Sequence, residues 1–402
     1  MAEWNEKSLG EIAEVTKLAG FEFTKYIKYD DDGEIIALRA LNLRNGELDL
    51  SDIKRISKKV SEGLTRSKIY KDDILLTYTG NGYGDCAIIE ENDKYHLAPN
   101  ICKIVPNQDV VFPYYLYCYI RSNAFYNQMS SNMTGSGQPT IPMKTIRLLK
   151  IPVPDMSVQI KIANVIWSLN QKIRNNKVIN NNLEQQAMAL FKSWFIDFEP
   201  FNRQVPKTWI NGVLGDFVEI KRGGSPRPIQ DFLSDSGFHW LKISDATGIS
   251  SPFINEIKEY IIEAGLKKTV YLKSGSLVLS NSATPGLPKI LDIDTCIHDG
   301  WLYFPSSKFS NEYLYLYFKH IRDNLIALGN GSVFTNLKTD ILKNYPTYLP
   351  TEDVLKKFDE LVQPIFSMIL SKTREIKRLA EIRDTLLPKL MSGELDVSDI
   401  EL

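Results

Sequence analysis

The sequence has few of the residues that build disulfide, metal or acid–base sites. It contains four cysteines and four histidines in 402 residues. The cysteines are Cys86, Cys102, Cys118 and Cys296, and the histidines are His96, His239, His298 and His320. No C-x-x-C spacing or histidine cluster occurs, so neither a zinc site nor a disulfide framework is predicted. We interpret each histidine as a structural or surface side chain, and a reducing cytoplasm fits the cysteine usage.

Long hydrophobic runs are also absent. No stretch reaches the roughly 18 apolar residues that a membrane-spanning helix requires. The segment from Met1 to Glu6 lacks a basic region followed by an apolar stretch, which argues against a secretory signal. We therefore expect a cytoplasmic protein with no membrane partner.

Catalytic strings are missing as well. There is no G-x-S-x-G elbow, no H-E-x-x-H pair and no Asn-Pro-Pro-Tyr segment of the kind expected in amino-group methyltransferases. The glycines of 80–84 have the wrong spacing for dinucleotide binding, and Met143 stands where a phosphate-binding loop needs glycine before Lys144. The sequence predicts a non-enzymatic chain without cofactor or metal.

Positive charge is local rather than global. The formal net charge is −1 at pH 7, whereas a nucleic-acid-binding domain usually carries a basic excess. Basic residues nevertheless cluster in both halves: Lys54, Arg55, Lys58, Lys59, Arg66 and Lys68, then Lys221, Arg222, Arg227, Lys267 and Lys268. Such clusters are more often solvated faces, so they permit phosphate binding without demonstrating it.

The chain repeats itself. Trp4, Leu9, Gly10 and Glu14 recur as Trp209, Leu214, Gly215 and Glu219; Gly63-Leu64 recurs as Gly265-Leu266; Tyr115, Tyr117 and Tyr119 recur as Tyr313, Tyr315 and Tyr317; Gly135, Gly137 and Lys144 recur as Gly329, Gly331 and Lys338. The matches stay in order, with a spacing that shortens slowly along the chain. This collinearity indicates an internal duplication.

Each copy combines a mixed, β-leaning part with a long helix. Apolar residues recur at steps of three and four from Ile162 to Trp194 and from Phe358 to Leu390, a coiled-coil period. Asn176, Asn180, Lys372 and Arg383 interrupt these seams, and Pro364 is a local misfit for a helix. We expect an α+β fold in which the two helices form an antiparallel coiled coil with an internal pseudo-two-fold axis.

Several local strings resemble the specificity subunits of Type I restriction–modification enzymes. They are the segments 191–198 at the end of the first helix, 386–394 near the end of the second, 135–163 leading into the first helix, and 239–245. The resemblance covers nearly the whole chain. It implies a first target-recognition domain at 1–154, a central spacer helix at 155–200, a second recognition domain at 201–350, a distal spacer helix at 351–395 and a tail at 396–402.

The resemblance also implies partners. Each recognition domain would read one half of a split site in double-stranded DNA. Methyltransferase subunits, two in number, would bind S-adenosylmethionine and methylate adenine, while motor–nuclease subunits would cleave. Base methylation requires extrusion of the base, which would be the partners' task.

Polar and basic side chains in the mixed parts are our candidate DNA contacts, because such groups suit base edges and phosphates. In the first copy they are Arg39, Asn42, Arg44, Lys58, Lys59, Asn81, Tyr83 and Gln138, and in the second Lys242, Asp245, Asn281 and Thr284. Arg39 and Asn42 occupy the positions of Lys242 and Asp245, as readers of two different half-sites would. Two alternatives stay open: a coiled-coil scaffold that binds only protein, and an enzyme with an unrecognised site.

Overall fold

A computed structural model describes residues 4–80, 82–134, 139–329 and 336–397. The chain divides into two compact units, Met1–Lys172 with Leu379–Leu402, and Ile173–Arg378. Two helices of 40 residues, α7 (Met156–Phe195) and α12 (Glu352–Met391), contribute to both units. The chain is therefore a mixed α/β protein with two units and long helices.

The first unit has short strands and helices before α7. Its strands are β1 (Asn5–Ser8), β2 (Ala13–Lys17), β3 (Ile35–Leu38), β4 (Leu43–Arg44), β5 (Glu47–Leu48), β6 (Lys54–Ile56), β7 (Lys68–Ile69), β8 (Ile74–Thr77), β9 (Cys86–Ile88), β10 (Tyr95–Leu97), β11 (Ile101–Pro106) and β12 (Lys150–Val153). Its helices are α1 (Leu9–Ile12), α2 (Gly20–Tyr26), α3 (Lys58–Gly63), α4 (Pro113–Ile120), α5 (Asn123–Ser131) and α6 (Met143–Leu148).

The second unit follows a similar order. Its strands are β13 (Ile210–Val213), β14 (Lys221–Arg222), β15 (Leu233–Ser234), β16 (Phe238–Leu241), β17 (Phe253–Ile254), β18 (Tyr260–Ile261), β19 (Val270–Leu272), β20 (Leu277–Ser280), β21 (Pro288–Leu291), β22 (Thr295–Ile297), β23 (Trp301–Tyr303) and β24 (Pro346–Leu349). Its helices besides α7 and α12 are α8 (Leu214–Phe217), α9 (Ile243–Thr247), α10 (Asn311–Gly329) and α11 (Thr339–Lys343).

The strand orders of the two units match except for one additional edge strand in each five-stranded sheet of the second unit, β15 in one sheet and β17 in the other. In the described residues, one sheet of the first unit runs β6-β3-β10-β7 and another runs β2-β11-β8-β9. The second unit has β15-β18-β16-β22-β19 and β14-β23-β20-β21-β17. In both units the equivalent pairs β3–β10 and β16–β22 are parallel, and the first and last strands, β1 with β12 and β13 with β24, pair antiparallel. The duplication in the sequence thus corresponds to a duplication of sheet topology.

Each unit has its main core where a sheet meets helices. In the first unit the buried Tyr115 and Phe125 of α4 and α5 share a core with Ile162 of α7 and Leu390 of α12. In the second, Phe318 of α10 shares a core with Phe191 of α7 and Phe358 of α12. The repeated tyrosines are buried in α4 and α10, so packing rather than base stacking accounts for them.

Polar side chains join α7 to α12 within each unit. Arg383 donates to the Asn170 side chain at 3.1 Å in the first unit, and Asn180 donates to Thr373 Oγ1 at 3.1 Å in the second. Helix α12 continues through Pro364, which is exposed. Two of the polar residues that interrupt the apolar seams, Asn180 and Arg383, therefore pair with the neighbouring helix. Lys372 pairs instead with Glu375 of its own helix, and the buried side chain of Asn176 has no hydrogen-bond partner among the described residues.

Candidate nucleic-acid interface

Equivalent loops follow β8 and β20, and the backbone anchors them in the same way. The Tyr78 amide donates to the Asn100 carbonyl at 3.3 Å, and the Ile141 amide donates to the Tyr78 carbonyl at 3.0 Å. In the second unit, the Asn281 amide donates to the Gly300 carbonyl at 2.8 Å, and the Leu337 amide donates to the Asn281 carbonyl at 2.7 Å. Each unit therefore brings three chain segments to one end of its central sheet. We use this name for the sheet β2-β11-β8-β9 in the first unit and for the sheet β14-β23-β20-β21-β17 in the second.

The loops that the sequence singled out lie at these sheet ends. The candidates Asn81 and Gln138 lie outside the described residues, but their neighbours Gly80 and Pro139 are joined by an amide-to-carbonyl bond of 2.9 Å. Thr284 is half-buried, and its amide donates to the Ser282 carbonyl at 2.6 Å. Loop segments that were far apart in the sequence thus meet at one place in each unit.

Aromatic and basic side chains meet at the first loop. The rings of Tyr83 and Tyr126 stack with centroids 5.3 Å apart, and their hydroxyls are 2.5 Å apart. Gly84 has φ of +88°, and a Cβ there would lie 3.0 Å from the Tyr126 ring. Lys17, the last residue of β2, holds its ammonium 5.2 Å from the centroid of the Tyr78 ring. Tyr126 is exposed, whereas Tyr78 and Tyr83 are half-buried. Accessible aromatic rings and a cation are the usual elements of a nucleic-acid contact.

Asp299 organises the second loop. Its side chain accepts from the Ser225 hydroxyl at 2.7 Å and lies 3.4 Å from Arg227. Its backbone carbonyl accepts from Arg222 Nε at 2.5 Å and from the Asn281 amide group at 3.2 Å. The Ser225 hydrogen bond, with Arg222 nearby, lowers the pKa of the Asp299 carboxyl. Two arginines are therefore held at the loop around an ionised carboxylate.

Burial favours the neutral form of His298 beside these charges. It lowers the pKa of the imidazole, Asp299 opposes this effect, and Lys242 and Arg222 add to it. Its Nδ1 accepts from the Gly300 amide at 2.8 Å, which leaves the proton of the neutral ring on Nε2. The imidazole therefore fixes the turn between β22 and β23 rather than adding charge to it.

Arg39 and Lys242 have the same local environment in the two copies. The Arg39 guanidinium lies 2.9 Å from Asp52, and Lys242 pairs with Glu259. Their backbone amides donate to Asn42 Oδ1 and Asp245 Oδ2, at 3.0 Å in both cases. Asn42 and Asp245 are the third residues of the short helical turns that begin after Arg39 and Lys242, and their side chains satisfy the backbone donor at the start of each turn.

The candidates differ in exposure. Asn42 and Asn281 are buried, with 0% and 3% of their surface exposed. The Asn42 amide group donates to the Asp49 and Asp52 carbonyls at 2.8 Å each, so it holds local backbone. Arg44 is exposed, with its Nε 3.9 Å from Asp49. Lys58 and Lys59 are exposed at the start of α3, where Lys58 lies 3.9 Å from Glu62.

Sequence reasoning missed Lys17 and the roles of Arg222 and Asp299. Lys17 pairs with Cys102 on β11, and Arg222 pairs with Leu302 on β23, so both stand at equivalent strand ends beside the loops. The repeat alignment that matches Trp4 to Trp209 also matches Lys17 to Arg222, and this match could have indicated both residues from the sequence.

Within the described ranges there is no cluster of metal ligands, and no helix there is long and apolar enough to cross a membrane.

These features define a class: a duplicated mixed α/β protein with two long helices and a matching polar loop site in each unit. The family described as Type I restriction modification DNA specificity domain matches residues 1–185 and 206–379. The chain belongs to this family.

Relatives of known name resemble the chain over its length. The Type I restriction enzyme MjaIX specificity subunit of Methanocaldococcus jannaschii is 27% identical over 99% of this chain and 95% of its own. The HindI specificity subunit of Haemophilus influenzae is 26% identical over 98% of this chain and 100% of its own. The crystal structure of the S subunit from M. genitalium covers 96% of both chains with a TM-score of 0.61 and 14% identity, a similarity of fold.

Proposed function

We propose that this chain is the DNA-specificity subunit of a Type I restriction–modification enzyme and that each unit reads one half of a bipartite site. The proposal rests on the equivalent loops that follow β8 and β20, which the same backbone hydrogen bonds hold in both units. The chain also belongs to a family that is described by its DNA specificity. Two equivalent modules with different side chains at matching positions suit two different half-sites, as paired modules suit two half-sites in dimeric repressors.

The loop residues divide into two kinds of DNA contact. Lys17, Arg222 and Arg227 supply positive charge beside the loops, which suits phosphate positioning. Arg39 and Lys242 are the candidates for base edges, together with Arg44, Tyr83 and Thr284 and with Asn81 and Gln138 outside the described residues. Asn42, Asp245 and Asn281 support this surface by holding its backbone.

Catalysis belongs to partner subunits in this proposal. Two methyltransferase subunits methylate adenine within the recognised site, and motor–nuclease subunits cleave DNA. The helices α7 and α12 form an antiparallel coiled coil that separates the two recognition domains, at 1–154 and 201–350, and fixes the gap between half-sites. Each helix has 40 residues, or about 60 Å at about 1.5 Å per residue, which exceeds one turn of B-DNA at roughly 34 Å.

A domain exchange tests the proposal. Residues 1–154 are replaced by the first domain of another family member, and the chimera is produced with its methyltransferase partner in a host whose methylated motifs are then sequenced. We expect one half of the motif to change and the other half to stay. A change in both halves would contradict the modular reading, and methylation that ignores the identity of this chain would favour the protein-only scaffold.

A further inference from the structure

The central sheets of the two units differ at one edge. In the second unit, β17 is hydrogen-bonded to β21 and ends the sheet. In the first unit, the described residues place no strand beyond β9, the counterpart of β21. The duplicated chain therefore shows the same sheet edge once with an added strand and once without it.

The added strand is well anchored in the second unit. The amides of Ile290 and Asp292 donate to the carbonyls of Pro252 and Ile254 at 2.9 and 2.8 Å. Phe253, 5% exposed, packs against Phe366 of α12 with ring centroids 6.2 Å apart. The segment thus combines parallel strand pairing with an aromatic side chain inserted towards the long helix.

The edge of the first unit has matching geometry. Ile88 pairs with Ile74 as Ile290 pairs with Leu277. The Asp72 amide donates to the Ile89 carbonyl at 2.8 Å, as the Gly275 amide donates to the Leu291 carbonyl at 2.7 Å. Because successive amides of a strand alternate in direction, the Ile88 amide is directed to the outer edge, as the Ile290 amide is.

A cleft lies at the end of β9, between the sheet and α7. Its volume is about 600 Å³, and it is lined by Lys71 and Asp72, by Ile88 to Glu90, by Gln108 and Phe112 to Tyr114, and by Ala163, Asn164, Trp167 and Gln171 of α7. Trp167 of α7 lines the cleft and is 48% exposed, an unusual state for a large aromatic side chain. The hairpin of β4 and β5 contacts β9, but it forms a separate sheet and none of its residues lines the cleft.

We propose that this cleft binds an extended segment of a second polypeptide, which adds to β9 as a parallel strand in the way that β17 adds to β21. The occupant has an aromatic residue followed by an aliphatic one, the pattern of Phe253 and Ile254. Its backbone pairs with the strand edge, and its aromatic side chain packs against Trp167. Main-chain pairing supplies affinity and the side-chain pocket supplies specificity in this mode of recognition.

The chain's own strand sequence provides the probe. A synthetic peptide with the sequence of residues 249–257, Ile-Ser-Ser-Pro-Phe-Ile-Asn-Glu-Ile, is titrated into the full-length chain while tryptophan fluorescence is recorded. We expect a saturable change that Trp167→Phe abolishes. A peptide with aspartate in place of the phenylalanine is expected to bind about tenfold more weakly or worse, since a carboxylate cannot replace the aromatic packing against Trp167.

Two further measurements separate strand addition from unspecific adsorption. Asn164→Arg fills the cleft from the surface of α7 and should abolish binding of the peptide. Amide hydrogen exchange at Ile88 should slow when the peptide is bound, because that amide gains a hydrogen bond. Absence of a saturable change, equal binding of the aspartate peptide or of Asn164→Arg, or unaltered exchange at Ile88 would overturn the proposal.

Discussion

The Arg39 guanidinium lies 2.9 Å from the Asp52 carboxylate, and this ion pair has a counterpart between Lys242 and Glu259 in the second copy. The acidic residue precedes equivalent strands in both copies, at β6 and β18. The pair holds the cation at the start of a capped turn, and the Arg39 side chain remains 21% exposed. The ion pair therefore orients the cationic side chain before DNA binds, and a DNA base could then replace the carboxylate as its partner.

Arg39→Ala is expected to relax the preference for one base in one half-site. A bidentate arginine–guanine contact contributes about 1–3 kcal/mol of discrimination, so the methylated motif should become degenerate at that position. Sequencing of the methylated motifs checks this. Lys242→Ala is the matched variant and should affect the other half-site alone, whereas an unchanged motif would remove Arg39 from base readout.

Replacement of Lys58 and Lys59 by alanine is expected to weaken binding to all sequences alike. Both side chains are exposed at the start of α3, and a phosphate contact carries no base information. The slope of log affinity against log salt should fall by about one for each lost contact. Lys356 and Lys357, an exposed pair on α12, provide the control variant. An unaltered salt slope would place α3 outside the interface.

The repeated positions show how far sequence reasoning extends. The collinear matches predicted the duplication, and the apolar period predicted long helices, because both signals depend only on regular spacing. The same alignment paired Asn42 with Asp245 as candidate DNA contacts, and in the fold both side chains also accept a backbone amide at the start of a helical turn. The repeat position alone could not indicate this hydrogen bond, and the DNA contact stays a prediction.

Contacts between distant segments account for what was missed. Asp299 is one acidic residue among many in the sequence, and its significance comes from Ser225, Arg222 and Asn281, which the fold brings to it. Strand β17 has only two residues and lies where the two copies diverge, so neither period nor repeat could indicate it. Local propensity is weak evidence for such short elements because tertiary pairing decides them.

Lys289 should make the stability of the second unit depend on pH. It is buried on β21 and donates to the Ile249 carbonyl at 2.6 Å and the Ser251 carbonyl at 2.5 Å. Burial lowers its pKa from 10.5 to about 8, so between these values the unfolded chain binds more protons than the folded one. The contribution of Lys289 to the free energy of unfolding therefore rises with pH across this window, by up to about 3 kcal/mol.

The comparison of the natural chain with Lys289→Met isolates this effect. Urea midpoints are measured from about pH 7 to about pH 10, and the difference between the proteins is followed, because the other titrating groups are common to both. We expect the natural chain to gain stability relative to the variant as pH rises. A difference that stays constant with pH would show that Lys289 keeps an ordinary pKa in the fold.

The long helices should set the distance between the two half-sites. The two units divide between Lys172 and Ile173 in α7 and between Arg378 and Leu379 in α12. Insertion of four residues at both points adds close to one helical turn to each helix, or about 6 Å, and leaves the residues of each unit intact. That length is comparable to about two base pairs at roughly 3.4 Å of rise. An insertion of four residues also disturbs a heptad pattern less than an insertion of two.

The lengthened chain is therefore expected to direct methylation to the same half-site sequences separated by a longer gap. Motif sequencing of a host that expresses it with the methyltransferase partner measures the gap directly. Four residues inserted into the exposed turn at Asn202 to Gln204 serve as the control and should leave the gap as it was. If the lengthened chain methylated only at the original gap, the helices would not set the distance, and partner docking would be their remaining role.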